Sequence, residues 1–120
     1  KILFIEGASD SELEFAYKNS DALIQASAGE GFGLPLIEAG CYNLPIICSN
    51  IPVFHEVAGE NAIFFDRNEK DLQNKILFFE KNKETKKIPE SKNIKPLTWD
   101  EVSNKVYSMI VKDKNWYSDI

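Results

Sequence analysis

Two glutamates, Glu30 and Glu38, lie on either side of a glycine-rich bend, with seven residues between them. Within the bend, Gly31 and Gly33 allow the backbone to approach a ligand closely, because neither residue carries a Cβ atom. A carboxylate accepts two hydrogen bonds from a vicinal diol, and sugars supply such diols. The spacing predicts that Glu38 binds a ribose and that Glu30 lies nearer a second sugar, with a diphosphate between them.

The same residues also have a purely structural interpretation. Glycines and a proline before a helix are common turn residues, and the helix dipole stabilises a surface carboxylate such as Glu38 near a helix N-terminus. Short motifs often match by chance, so the spacing alone favours neither the ligand-binding nor the structural interpretation.

Short apolar runs alternate with amphipathic stretches along the chain, which predicts right-handed βαβ units and a parallel sheet. Four strands are predicted, in the sequences KILFIEG (1–7), DALIQAS (21–27), PIICS (45–49) and AIFFD (62–66). The glycine-rich bend directly follows the second of these runs. Parallel sheets bind ligands at the carboxyl ends of their strands, so we expect the bend at that rim.

Five amphipathic segments predict helices, in SDSELEFAYKNS (9–20), residues 34–42, IPVFHEVAG (51–59), NEKDLQNKILFFEKN (68–82) and TWDEVSNKVYSMIV (98–111). The second helix follows the bend, and Pro35 fits its first turn. Unpaired amides around Gly33 and Leu34 would favour a diphosphate there. Asn43 fits the left-handed conformation expected where this helix ends.

The other helices have recognisable caps and apolar faces. Ser9 or Asp10 is a suitable cap for the first helix, and Thr98 with Glu101 forms a capping-box pattern at the last. Trp99 is predicted to lie in the core. The buried stripe of the fourth helix is predicted to include or adjoin Leu72, Ile76, Leu77 and Phe79.

Length and composition limit the class of protein. The chain has 120 residues, which suits a single Rossmann-like domain over residues 1–120 with one core. No apolar run approaches the roughly 18 residues that a membrane helix needs, and the first residues do not form a signal peptide. A cytoplasmic location is therefore the default expectation. With a single histidine and no CxxC pair, no metal site is predicted, and Cys41 and Cys48 are interpreted as reduced, buried residues.

The net charge of −5 is spread along the chain, which predicts no nucleic-acid partner. Residues 81–95 are locally lysine-rich. A solvated linker over residues 83–97, leading to the last helix, is favoured over a weak contact with anionic lipid or a phosphorylated acceptor, because the run has no apolar face.

Three single residues allow more than one interpretation. A structural or exposed role is favoured for His55 over that of a general base, because one imidazole without partners makes no catalytic group. Ser27 either donates to a phosphate or satisfies the strand end, and the two readings are equal. Phe32 either closes over the donor sugar or packs between loop and sheet, and packing is favoured.

The segment EGFGLPLIE (30–38), followed by AGCYNLPIICSNI and HEVAG, resembles the E-x7-E region of GT-B glycosyltransferases, specifically the retaining enzymes of family 4. The similarity continues upstream in ELEFAYKNSDALIQAS and downstream in NAIFFDRNEKDLQNKI and TWDEVSNKVYSMI. It therefore covers most of the chain, in order.

The resemblance implies the C-terminal, donor-binding half of a GT-B fold and a metal-independent transfer that retains the anomeric configuration. The donor would be a UDP- or GDP-sugar, and the acceptor a saccharide or glycolipid in cell-surface polysaccharide assembly. It implies that Glu30 is the catalytic residue beside the donor sugar and that Glu38 holds the ribose. Residues 31–34, namely Gly31, Phe32, Gly33 and Leu34, would contact the sugar and the phosphates. The chain contains no DxD motif, which agrees with the metal-independent transfer that the resemblance implies.

Two departures from the family pattern bear on activity. Tyr42 and Asn43 precede Leu44, where the family usually has a small residue and a glycine. The family's basic pair for the diphosphate and its acceptor-binding N-terminal domain would lie outside this chain, so we expect the isolated chain to be inactive. Peripheral membrane association of the full protein is left open.

Three other functions remain as alternatives at this point. The first is an isolated nucleotide-sugar-binding module without activity, and the second is a GT-B-type epimerase acting on sugar nucleotides. The third, a flavodoxin-like regulator, is disfavoured because residues 7–10 after the first apolar run offer little for an acidic or phosphate pocket.

Overall fold

The computed structural model describes residues 1–95 and 98–107, and the side chains at positions 102, 105 and 106 lie outside that description. The elements in chain order are α1 (Asp10–Asn19), β1 (Leu23–Gln25), α2 (Leu34–Cys41), β2 (Ile46–Ser49), α3 (Pro52–Ala58), β3 (Ile63–Phe65), α4 (Glu69–Asn82), a 3₁₀ turn (Ser91–Asn93) and α5 (Trp99–Tyr107). This alternation confirms the predicted α/β class.

Within the described residues, the three strands form one parallel sheet in the order β1-β2-β3. Ile24 pairs with Ile47 in the first ladder, and Cys48 pairs with Phe64 in the second. Helices α2 and α3 provide the two crossovers, as expected for parallel neighbours. All three strands therefore end at the same rim, and the glycine-rich bend follows β1 there.

Side chains on the two faces of the sheet belong to two separate apolar clusters. Along β2, Ile46 and Cys48 lie in one cluster and Ile47 lies in the other, because successive strand residues point to opposite faces. The first cluster includes Leu36 of α2 and Phe54 of α3, whereas the second includes Phe79 of α4. The sheet is thus covered by helices on both faces, as predicted for a Rossmann-like layer.

Local sequence signals explain where the helices begin and end. Ser9 caps α1 in a complete capping box with Glu12, and Asn68 caps α4 by accepting from the Asp71 amide at 2.8 Å. Asn43 has a φ of 50°, which confirms its predicted left-handed conformation after α2. The capping box of α5 is also confirmed by the hydrogen bonds between Thr98 and Glu101, although the predicted continuation of this helix to residue 111 lies outside the described residues.

The segment between α4 and α5 is anchored to α2. Ile88, Ser91 and Ile94 are buried, and the Ser91 hydroxyl donates to the Leu44 carbonyl oxygen at 2.7 Å. A Cβ atom at Gly40 would lie 2.8 Å from the Ser91 carbonyl oxygen, so the close approach of α2 to the 3₁₀ turn requires glycine there. The described part of the lysine-rich connection therefore packs on the core as well as linking two helices.

The predicted first strand is wrong. Residues 1–7 adopt no strand, and the side chain of Phe4 is 88% exposed. A strand needs a hydrogen-bonded neighbour, and the described sheet provides none for this run. The apolar sequence of residues 1–7 thus predicted a buried strand, but no other described residues cover it.

Two further burial predictions are wrong. Cys41 is exposed at the end of α2, and Trp99 is 86% exposed at the start of α5. On α4 the buried face follows the helical spacing of Leu72, Ile76 and Phe79, and the exposed Leu77 lies beside it, as the prediction allowed. None of the helices in the described ranges is long and apolar enough to cross a bilayer.

Candidate functional site

Glu30 lies in the bend and is held at the end of β1. Its Oε1 atom accepts a hydrogen bond from the Ser27 hydroxyl at 2.9 Å and another from the Gln25 side-chain amide at 3.0 Å. The same amide contacts the Ser27 hydroxyl at 2.8 Å, so the three side chains form a closed set. Glu30 itself is exposed, and no described residue forms a hydrogen bond with its Oε2 atom.

Ser27 therefore has a role that sequence reasoning missed. Neither of its predicted roles, at a phosphate or at the strand end, included a contact with Glu30. The signal was present in the spacing, because a serine three residues before a glutamate in a tight bend is within reach of its carboxylate.

Glu38 lies on the exposed side of α2, and Tyr17 of α1 holds it. The Tyr17 hydroxyl donates to Glu38 Oε2 at 2.7 Å, and no described residue forms a hydrogen bond with Oε1. Burial raises the pKa of Tyr17 well above its ordinary value, and the hydrogen bond to Glu38 and its negative charge raise it further. The hydroxyl thus stays protonated and acts as the donor at neutral pH.

An open groove of about 340 Å³ runs between α1 and α2 beside Glu38. The residues that line it are Asp10, Leu13, Glu14, Tyr17, Glu38, Cys41 and Tyr42. The charged groups that line it are carboxylates, and Glu14 among them is paired with Lys18 of α1. Carboxylates accept hydrogen bonds from hydroxyl groups, so the groove offers acceptors to a polyol. A second hollow of about 430 Å³ lies on the other side of α1, lined in part by Ile5 and Phe15.

The bend between the two glutamates offers backbone and an exposed ring. Phe32 is 78% exposed, so the favoured interpretation that it packs between loop and sheet is wrong. Gly31 borders open space, and Gly33 caps α2 with a φ of 66°. Gly33 also lies against α3, since a Cβ atom there would be 3.4 Å from Val57 Cγ2. The Leu34 amide, as at any helix start, lacks a partner within the helix.

A second polar set lies at the same rim, after β2 and β3. The Asn50 side chain donates to Asp66 Oδ1 at 3.0 Å, and its oxygen lies 2.5 Å from His55 Nε2. The His55 ring stacks on Phe64 with 3.9 Å between ring centroids. These contacts fit the structural role predicted for His55. Asn50 and Asp66 were missed, although each directly follows a strand.

The comparison with protein families matches residues 1–95 to the glycosyl transferases of group 1. The chain belongs to this family.

The relatives that the chain resembles include two bacterial proteins that are named as mannosyltransferases. The serotype-specific mannosyltransferase WbdA of Escherichia coli is 42% identical over 104 residues, covering 82% of this chain and 12% of that protein. The O-antigen chain mannosyltransferase RfbU of Salmonella typhimurium is 43% identical over 77 residues, covering 63% of this chain and 22% of that protein. The chain thus spans only a small part of the curated relatives that it matches.

Family membership confirms the resemblance to GT-B glycosyltransferases in its coarser form. The assignment to family 4 and the roles of Glu30 and Glu38 stay predictions. The described residues of this glycosyl transferase chain contain no group of three or more His, Cys, Asp or Glu side chains placed to hold a metal ion.

Proposed function

We propose that this chain is the donor-binding part of a glycosyltransferase that transfers a sugar from a nucleotide sugar to a saccharide or lipid-linked acceptor. The observation that carries the proposal is the state of the two carboxylates. Glu30 and Glu38 are both exposed, and each has one oxygen held by neighbours and one oxygen without a described partner. Such oxygens are suited to accept hydrogen bonds from sugar hydroxyl groups.

In this proposal the donor lies along the bend. Glu38 accepts hydrogen bonds from the ribose diol, and Glu30 is the catalytic residue beside the transferred sugar. The backbone of residues 31–34 contacts the diphosphate, and the Leu34 amide at the start of α2 favours its negative charge. Phe32, which is exposed, closes over the donor sugar.

Transfer requires charge stabilisation on the leaving diphosphate. The amides at the start of α2 supply part of it in this proposal, with no metal ion, and basic residues of the full protein supply the rest. We propose retention of the anomeric configuration, with the acceptor brought by a second domain as the cleft closes. The full protein works in the cytoplasm, on an acceptor that it meets as a saccharide or at the membrane surface.

The donor in this proposal is a UDP- or GDP-sugar, and mannose is the favoured transferred sugar because two of the relatives are named mannosyltransferases. A second candidate is a nucleotide-sugar-binding module that has no activity alone. The small share of the relatives that the chain spans favours this behaviour for the isolated 120 residues.

Replacement of Glu38 tests the proposal. Calorimetry of the full-length protein with UDP- and GDP-sugars should show binding, and Glu38→Ala should weaken it about 10- to 100-fold, because hydrogen bonds to a charged group contribute about 1.5–3 kcal/mol. Glu60→Ala is the matched control, since Glu60 is an exposed glutamate in the turn after α3. Equal affinities of the two variants would contradict the proposed role of Glu38.

A further inference from the structure

We propose that Tyr17 is a positioning residue, whose hydroxyl fixes the Glu38 carboxylate so that its second oxygen meets the ribose of the nucleotide. This inference rests on the proposed function and adds a residue to its site. It also implies that the protein prefers ribose over deoxyribose because of the hydrogen bond between Tyr17 of α1 and Glu38 of α2.

The contact joins parts of the chain that lie far apart in sequence. Tyr17 belongs to α1 and Glu38 to α2, and the hydroxyl reaches Glu38 Oε2 at 2.7 Å. A carboxylate can only accept, so Tyr17 is the donor. One carboxylate oxygen is thus committed to α1, and Oε1 is left for a ligand.

Tyr17 is itself held firmly. Its ring belongs to the buried cluster that includes Leu36 and Ala39 of α2. On its other side it stacks on Tyr42, with 5.6 Å between ring centroids and an angle of 6° between the rings. Folding has already fixed the Tyr17 side chain. Its hydroxyl therefore orders the Glu38 carboxylate without a further loss of Tyr17 conformational entropy.

An exposed glutamate without such a donor samples many rotamers. Ordering it when a ligand binds lowers the affinity, and a carboxylate that is already ordered avoids this loss. The effect should appear mainly in ligands that carry the ribose diol, because only those use the ordered oxygen. Asp10 lines the same groove and disfavours a phosphate in place of the diol, whereas Glu14 is paired with Lys18.

The test measures dissociation constants of the full-length protein for GDP and 2′-deoxy-GDP, and for UDP and 2′-deoxy-UDP. The readout is the ratio of the deoxyribose to the ribose constant for the base that binds more tightly. Tyr17→Phe keeps the ring and removes the hydroxyl, and it should lower this ratio about fivefold to tenfold. Tyr107→Phe removes a hydroxyl from an exposed ring on α5 that does not line the groove, and it should leave the ratio unchanged.

A double-mutant cycle separates positioning from a general structural effect. In a Glu38→Ala background, Tyr17→Phe should cause no further change in the ratio. Glu38→Asp keeps the charge but shortens the side chain, so it should lower the ratio in the presence of Tyr17. This second variant leaves Tyr17 and its packing intact, and it tests the geometry even if Tyr17→Phe folds poorly.

The outcomes distinguish the inference from the proposed function. If Glu38→Ala lowers the ratio and Tyr17→Phe does not, the positioning role is overturned and the ribose role of Glu38 stands. An equal loss of affinity for both sugars in Tyr17→Phe, with the ratio unchanged, also overturns the positioning role. If the wild type shows no nucleotide binding, or Glu38→Ala leaves the ratio unchanged, the proposed function fails at its ribose site.

Discussion

At the scale of single residues, a side chain of this protein can be exposed to solvent and still be held in place by a hydrogen bond. Glu30 and Glu38 are both exposed, yet Ser27 holds the first and Tyr17 holds the second. The sources of the two constraints differ, because Ser27 is three residues from its partner and Tyr17 is twenty-one. A local and a tertiary contact thus produce the same arrangement, with one oxygen bound and one open.

Cys48 gives a prediction at this scale. Burial raises the pKa of its thiol from 9.0 to about 12, so the folded state keeps a proton that the unfolded state loses. Its contribution to stability is complete below about pH 9 and is lost as the pH rises towards 12. In urea titrations, the unfolding free energy of the wild type should fall more steeply above pH 9 than that of Cys48→Ala, by at most about 1.4 kcal/mol per pH unit.

Cys41→Ala serves as the control for this pH dependence. Cys41 is exposed, so removing it should leave the steep alkaline fall in place. Parallel curves for the wild type and Cys48→Ala would show that the buried thiol is not the titrating group.

At the scale of elements, α2 is the helix that joins the site to the rest of the fold. It begins at Gly33, which lies against α3, and it ends next to the 3₁₀ turn that contacts Gly40. The same helix carries Glu38 one turn inside. A shift of α2 would therefore displace the bend and Glu38 together.

Gly40→Ala tests the close contact of α2 with the 3₁₀ turn. The added Cβ atom would lie 2.8 Å from a backbone oxygen that cannot rotate away. We expect the unfolding free energy to fall by about 1–3 kcal/mol, although alanine is the better helix former by about 1 kcal/mol. Gly29→Ala is the control, because a Cβ atom there meets nothing within 4 Å. Similar denaturation midpoints for both variants would exclude a tight contact.

At the scale of the whole molecule, the sheet is covered on both faces, but the first residues remain outside the packing. Ile2, Leu3, Phe4 and Ile5 form a continuous exposed apolar run. Contiguous apolar surface on a soluble chain promotes association with other surfaces. The isolated chain is therefore expected to associate with itself despite its net charge of −5.

Sedimentation velocity over a range of concentrations would detect this association. Replacing Ile2 and Phe4 by serine should shift the 120-residue chain towards the monomer. The control replaces Leu77 and Tyr107, which are exposed on α4 and α5, by serine and should leave the association in place. Monomeric wild type, or an equal effect of both pairs, would contradict the assignment to residues 2–5.

The fold could be predicted from sequence wherever the signal was local. The apolar runs at β1, β2 and β3, the caps Ser9 and Thr98, and the left-handed Asn43 all follow from neighbours within a few residues. The positions of the two candidate glutamates, in the bend after β1 and in α2, could also be predicted, because that bend and the start of α2 are local features; their roles stay predictions. The exposure of residues 1–7 could not be predicted, because a strand depends on a hydrogen-bonded neighbour that its own sequence does not specify.

The sequence by itself determined the order of helices α1 to α5 and strands β1 to β3, the glycine-rich bend with its two glutamates, and the resemblance to a glycosyltransferase family. Only the tertiary structure decided that Tyr17 donates to Glu38, that Ser91 requires glycine at position 40, and that Trp99 is exposed. Periodicity and caps depend on neighbours within about one turn of helix, whereas these contacts join residues 21 and 51 positions apart. Such pairs meet only through the packing of whole elements, so no local pattern of residues records them.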